Sequence, residues 1–128
     1  MKRFTKYVLA LVVSISILSA ASAQEAVPAL IQSNMDSMLT AVALGSYDSF
    51  ITSGSPDFKI SYTAEAFGLV NEAEGARLSA GYNATYLTSL NVEDFVVYLW
   101  KLSYSDGQDD GLLSISVANG FVVGFLIQ

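Results

Sequence analysis

The chain has 128 residues, a formal charge of −6, and neither cysteine nor histidine. The absence of histidine excludes Ser-His-Asp and Cys-His catalysis and histidine metal sites, and the absence of cysteine excludes a disulfide framework and a lipid-modified cysteine anchor. An acidic chain without a basic stripe is not expected to bind nucleic acid.

The first 23 residues have the three parts of a cleavable signal peptide. Three basic residues precede an apolar run at residues 7–18, and Ala21-Ser22-Ala23 matches the small-x-small cleavage pattern. The apolar run is shorter than the roughly 20 residues that a membrane-spanning helix needs. We therefore expect an exported protein, periplasmic or extracellular, whose mature chain begins at Gln24 and has no membrane contact after cleavage.

Removal of that segment leaves residues 24–128, which have a size typical of one domain. Only Lys59, Arg77 and Lys101 remain basic, against twelve acidic residues, so the formal charge of the mature chain becomes −9. Such acidity supports solubility and says little about the fold. Because no disulfide is available, we expect a single α+β domain that its hydrophobic core holds together.

Three helices are expected before the first strand. Residues 25–44 place apolar side chains three and four positions apart, and the glycine that follows is suited to end that helix. Residues 46–51 form a short second helix, and residues 58–60 a short extended piece. Thr63 is a candidate N-cap for a third helix that runs to about Ser79.

Four strands are expected after residue 81. Alternating side chains and turn residues predict strands over residues 82–92, 95–104, 112–118 and 121–127. Asn119-Gly120 is the strongest short hairpin signal in the chain, and a two-residue turn fixes the register of the strands around it. The pairs that follow from that register are Ala118 with Phe121, Val117 with Val122, Ile115 with Gly124, and Leu113 with Leu126.

That register makes both faces of the last hairpin apolar. One face carries Leu113, Ile115, Val117, Val122 and Leu126. The other carries Leu112, Phe121, Val123, Phe125 and Ile127, diluted by Ser114 and Ser116. Helices can cover one face, whereas the other needs a partner subunit or a ligand cavity. We therefore expect a homodimer through the sheet. The interface candidates are Lys101, Phe121, Val123 and Phe125.

The order of elements resembles the NTF2-like, or cystatin-like, α+β cone. Three segments carry the resemblance: ALGSYDSF at residues 43–50, LWKL at residues 99–102 and ANGFVVGF at residues 118–125. The resemblance implies N-terminal helices packed on a curved antiparallel sheet of about four strands, often dimeric through that sheet. Members of this group include isomerases, dehydratases, epoxide hydrolases, polyketide cyclases and many non-catalytic binding modules. The enzymes place an Asp, Tyr or His inside the cone.

Two kinds of site inside such a cone are conceivable. Aromatic walls with a few hydroxyl groups suit a flat apolar ligand, and the pocket candidates are Phe67, Tyr86, Tyr98, Trp100 and Tyr104. Ordinary core packing of these rings is the preferred interpretation. A tyrosine and a carboxylic acid that face one cavity can also polarise a carbonyl while a carboxylate moves a proton. The weak catalytic candidates are Asp48, Asp94 and Tyr98.

No metal and no cofactor is expected. Asp106, Asp110 and Gly111 fit a calcium-loop pattern, but Gln108 takes its middle acidic position and Val117 stands where a bidentate glutamate is required. A solvated turn is the better interpretation. The leading hypothesis is an exported, non-catalytic binding or interaction module, with a small apolar ligand left open. The alternative is a small-molecule isomerase, dehydratase or cyclase that uses Tyr and Asp within the cone.

Overall fold

The computed structural model of the protein describes residues 26–128, so the predicted signal peptide lies outside the described residues. Within this range the helices are α1 (Ala29–Leu44), α2 (Tyr47–Ile51), α3 (Pro56–Ser61) and α4 (Ala64–Ala80). The strands are β1 (Tyr82–Val92), β2 (Phe95–Tyr104), β3 (Gly111–Ala118) and β4 (Phe121–Ile127). The strands form one antiparallel sheet in the order β1-β2-β3-β4. The predicted α+β class, helices followed by an antiparallel sheet of about four strands, is confirmed.

Local chemistry sets the ends of the two long helices. Gly45 ends α1 in the left-handed region, at φ 73°, where glycine carries no steric penalty. Thr63 caps α4, because its hydroxyl accepts a hydrogen bond from the N–H of Ala66 at 3.2 Å. Both ends agree with the prediction. The start of α1 differs, since Pro28 occupies the N-cap position and the helix begins at Ala29.

The predicted extended piece at residues 58–60 is wrong, because these residues belong to α3. Ser55 caps this helix by accepting a hydrogen bond from the N–H of Phe58 at 3.1 Å, and Pro56 occupies the first helical position. A proline there has the φ that a helix requires and lacks only an N–H that would be unpaired anyway. The turn buries Phe58, which is 4% exposed, so tertiary packing and capping together select the helix.

Phe50 lies at the centre of the core and is fully buried. Four other rings surround it, with these centroid distances: Phe58 at 6.1 Å, Tyr62 at 5.0 Å, Phe67 at 4.9 Å and Phe125 at 4.9 Å. Phe50 is the one buried residue of α2. A helix this short is not stable alone in water, so packing of this ring holds it in place.

The two long helices pack closely against each other at Gly75. The side-chain amide of Asn71 donates a hydrogen bond to the carbonyl of Val42 at 2.7 Å, which ties α4 to α1. A Cβ on Gly75 would lie 2.8 Å from that amide nitrogen and 3.3 Å from the Val42 carbonyl oxygen. The glycine therefore permits a helix–helix contact. No helix within residues 26–128 has the length and apolar character needed to cross a membrane.

A bulge in the last hairpin changes its predicted register. The pairs Ala118–Phe121 and Val117–Val122 are confirmed. The register then shifts, and Val123 has no opposite residue. Phe125 therefore pairs with Ile115, and the predicted pairs Ile115–Gly124 and Leu113–Leu126 are wrong. A shift of one residue exchanges the faces of all side chains beyond it. Phe125 is consequently in the core at 8% exposure, and Leu126 is outside it at 51%.

Candidate functional site

The side of the sheet that points away from the core is called here the outer face. On β2, one of the two inner strands, the side chains of Trp100, Leu102 and Tyr104 are buried, so the alternate residues point outward. These outward residues of β2 are Phe95, Val97, Leu99, Lys101 and Ser103. Their partners by register on β1 and β3 are Asn83, Thr85, Thr88, Leu90, Val92, Leu112, Ser114 and Ser116.

A second bulge supplies much of the apolar surface of the outer face. The register between β1 and β2 shifts between Tyr86 and Thr88, which leaves Leu87 without an opposite residue. In a strand without a bulge, simple alternation would place Leu90 and Val92 on the same face as Tyr86. The bulge turns Leu90 and Val92 outward, where they are 50% and 38% exposed.

The interface candidates divide between the two faces. Phe121 and Val123 lie on the outer face at 50% and 37% exposure. Lys101 also lies on it, and its ammonium is 4.0 Å from a carboxylate oxygen of Asp110. Phe125 does not, because the bulge turns its ring into the core against Phe50. The placement of Phe125 on the partner-facing side is therefore corrected.

The pocket candidates lie in three separate places inside the fold. Tyr86, Tyr98 and Trp100 contact one another, with ring centroids 5.7 to 6.5 Å apart. Phe67 belongs instead to the cluster around Phe50, and Tyr104 packs beneath helix α4. Trp100 is fully buried and the two tyrosines of its group are half-buried. These rings fill the inner side of the sheet by packing on one another.

Two polar atoms in the first group are buried without a partner among the described residues. They are the hydroxyl oxygen of Tyr86 and the indole nitrogen Nε1 of Trp100. Such groups usually find a hydrogen-bond partner when they leave water. No sequence signal marks this feature, since it arises where β1 and β2 pair.

Tyr104 joins the sheet to helix α4 through charged neighbours. Its hydroxyl donates a hydrogen bond to the Glu74 carboxylate at 3.0 Å, and the Arg77 guanidinium lies 3.7 Å from the centre of its ring. Burial, reinforced by the hydrogen bond to Glu74, raises the pKa of Tyr104 well above its usual range. Arg77 also donates to Asp106 at 2.7 Å and to the carbonyl of Asp109 at 2.7 Å. Arg77 therefore anchors to α4 the loop between β2 and β3, which contains the incomplete calcium-binding pattern.

The catalytic candidates are not brought together. Asp48 lies on α2 and Asp94 in the turn between β1 and β2, and both are exposed. Tyr98 lies in the aromatic group on the inner side of the sheet. No hydrogen bond within residues 26–128 joins it to either carboxylate, and this part of the chain contains no cluster of metal-ligating side chains.

A groove that the sequence did not indicate runs between α4 and the edge strand β4. Its volume is about 190 Å³. The lining residues are Tyr62, Leu69, Val70, Ala73, Glu74, Phe125, Leu126 and Ile127. The groove joins segments about 50 residues apart in the sequence, so no local pattern could reveal it. A shallower depression of about 350 Å³ lies over α1 and α2, beside Asp36 and several hydroxyl groups.

The described residues thus define an α+β protein with a packed inner face, an apolar outer face and a groove at one edge. No family model matches the chain, and no curated protein matches it. Among solved structures, the chain is similar to an uncharacterized cystatin fold protein from Novosphingobium aromaticivorans, with 11% identity and a TM-score of 0.40. The likeness covers 75% of this chain and 95% of that one. The α+β class of this chain follows from its own helices and strands.

Proposed function

We propose that the chain is an exported, non-catalytic interaction module that forms a homodimer through the outer face of its sheet. The observation that carries this proposal is the apolar character of that face. Leu90, Phe121 and Leu126 are 50%, 50% and 51% exposed there. Soluble monomers rarely expose wide contiguous apolar patches, so such a surface is best explained by a partner that covers it.

The distribution of charge favours a second copy as that partner. The acidic side chains of residues 26–128 lie on helices, in turns or in loops, and none lies on the four strands. Carboxylates that face one another across an interface oppose association. Lys101 is the one charged residue that each copy contributes from the strands of its outer face. Asp110 of the same copy lies beside it and offsets its charge. Two acidic copies therefore meet there with the least repulsion.

Export is part of the proposal and rests on the sequence. Residues 1–23 combine a basic start, an apolar run and a small-x-small site, which is the pattern of a cleavable leader. A non-catalytic role is supported by the separation of the candidate groups, since Asp48 and Asp94 are exposed on different elements. Intact-mass measurement of the exported protein tests cleavage after Ala23.

Sedimentation velocity of the purified protein tests the dimer. Leu90→Arg should weaken it strongly, because a two-fold interface contains the substitution twice. Loss of two buried leucines costs about 3–6 kcal/mol, which raises the dissociation constant by roughly 10²- to 10⁴-fold. The matched control is Ile60→Arg, on helix α3 and 78% exposed, which should leave the dimer intact.

Two results would contradict the proposal. The first is a wild-type protein that stays monomeric at every concentration reached. The second is an equal loss of dimer in Leu90→Arg and Ile60→Arg, which would show that added charge, and not the outer face, governs association.

A further inference from the structure

Strand β4 leaves part of its backbone unpaired at the edge of the sheet. Leu112 and Gln128 exchange two N–H···O hydrogen bonds of 2.9 Å. Hydrogen-bonded and non-hydrogen-bonded pairs alternate along an antiparallel ladder, so Ile127 and Phe125, one and three positions earlier, point their N–H and C=O groups away from β3. Because β4 ends the strand order, these groups lie at a free edge.

The chain itself already pairs with the first part of this edge. The N–H of Val122 donates to the carbonyl of Ser53, and the N–H of Ser55 donates to the carbonyl of Val122, both at 2.9 Å. This is a one-residue parallel bridge between Gly54 and Val122. An extended segment therefore fits alongside β4, and the free part of the edge begins just beyond the bridge.

The groove between α4 and β4 lies directly beside the free part. Phe125 and Ile127 form its strand wall, and Leu69 and Val70 are on its helix wall. Leu69 is 68% exposed, which leaves its side chain free to contact a ligand. A free backbone edge next to an apolar groove is the arrangement used when a peptide adds to a sheet as an extra strand, since alternate side chains then enter the groove.

The charge of the groove indicates which charged side chain a bound peptide would have. Glu74 lines the groove and is half-buried. One of its carboxylate oxygens accepts a hydrogen bond from the Tyr104 hydroxyl. No lysine or arginine of the described residues forms an ion pair with Glu74. The nearest arginine along the helix, Arg77, is engaged by Asp106. A cation on the ligand would complement this carboxylate.

We propose that the groove between α4 and the free edge of β4 binds an extended apolar peptide segment that carries a lysine or arginine. The backbone of the segment pairs with Phe125 and Ile127, its alternate apolar side chains enter the groove, and its cation lies near Glu74. The other edge strand, β1, is a poorer acceptor because its bulge after Tyr86 lies in the middle of the strand, whereas the bulge of β4 at Val123 lies before the free part. Leu126 belongs both to the lining of this groove and to the outer face, but the free backbone groups of β4 and the carboxylate of Glu74 do not depend on the proposed dimer.

Fluorescence anisotropy with a labelled hexapeptide tests the site. The peptide alternates valine and threonine and has lysine at each end, and the protein is purified after expression with its own N-terminal segment. Saturable binding is expected. Methylation of one alternate set of backbone amides should abolish binding, whereas methylation of the other set should not, because a strand added at an edge uses only every second amide.

Two variants locate the peptide, each with a matched comparison. Leu69→Gln should weaken binding by about tenfold or more, while Leu44→Gln, on α1 and 76% exposed, should not change it. Glu74→Gln should weaken the lysine peptide by about threefold to tenfold and improve binding of a peptide with glutamate at each end.

Several results would overturn the proposal. They are no saturable binding of the lysine peptide, equal binding of the two methylated peptides, and equal effects of Leu69→Gln and Leu44→Gln. A dimer that dissociates in Leu69→Gln and competes with the peptide would show that a second copy occupies the groove, which also overturns the proposal.

Discussion

Removal of the Tyr86 hydroxyl should stabilise the protein, the opposite of what most changes at a buried group do. The oxygen is buried and has no hydrogen-bond partner among the described residues. A buried polar group in that position costs about 1–3 kcal/mol. Tyr86→Phe keeps the ring and its packing at 5.7 Å from Trp100. We therefore expect the free energy of unfolding to rise by about 1 kcal/mol.

Tyr47 supplies the matched control. Its hydroxyl donates a hydrogen bond to the backbone carbonyl of Tyr62 at 2.6 Å, and the residue is half-buried, as Tyr86 is. Tyr47→Phe removes the same atom but breaks a hydrogen bond, so it should lower the free energy of unfolding by about 1 kcal/mol. The two variants should therefore differ by about 2 kcal/mol although the chemical change is identical.

Urea unfolding measures this difference. With a slope of about 1.5 kcal/mol per molar urea, each change of 1 kcal/mol moves the midpoint by about 0.7 M, in opposite directions for the two variants. The reasoning is refuted if Tyr86→Phe lowers the midpoint as much as Tyr47→Phe does. That result would mean that the Tyr86 hydroxyl has an acceptor which residues 26–128 do not supply. Native mass spectrometry for a co-purifying ligand would then be the next measurement.

Two further predictions concern the helix pair and the loop fastened to it. Gly68→Ala should stabilise helix α4 by about 1 kcal/mol, since alanine is the better helix former and a Cβ would meet nothing within 4 Å. Gly75→Ala should destabilise the protein, because its Cβ would be 2.8 Å from the side-chain nitrogen of Asn71. A higher urea midpoint for Gly75→Ala than for Gly68→Ala would contradict the close contact between the helices. The hydrogen bond from Arg77 lowers the pKa of Asp106 below its ordinary value of 3.8, so its stabilisation is present above that pH and is lost as the pH falls below it. Asp106→Asn should therefore reduce the acid-induced loss of stability, and identical midpoint-against-pH curves for the variant and the wild type would argue against this ion pair.

Element types and ends were predictable where a single residue decides them. Asn119 and Gly120 adopt φ values of 53° and 82°, which is the turn chemistry that makes this dipeptide a hairpin signal. Thr63 caps its helix through its own side chain. The Ser55-Pro56 start of α3 is the same kind of signal, and the interpretation of residues 58–60 as extended overlooked it.

The positions of the two bulges could not be predicted, and they determine which side chains lie on each face of the sheet. Gly124 indicates irregularity in β4, because a glycine inside a strand often marks a bulge, but it does not fix the position, and no such residue stands beside Leu87. A bulge depends on the twist and curvature that the whole sheet adopts against its helices. The sequence therefore predicted an apolar sheet face correctly but placed Phe125 on the wrong side, and simple alternation along β1 would misplace Leu90 in the same way. The unpaired atoms of Tyr86 and Trp100 depend on tertiary contacts in the same way.

The outer face and the β4 groove are linked by the geometry of a strand. A peptide added to β4 sends alternate side chains to opposite sides of the sheet. Those on the inner side contact Phe125 and the groove, and those on the outer side extend the surface that contains Leu126. A bound peptide would thus enlarge the proposed dimer interface with its own side chains. The affinity for the peptide and the affinity between copies must then change each other by the same factor, so the sequence of the peptide sets whether binding strengthens or weakens the dimer.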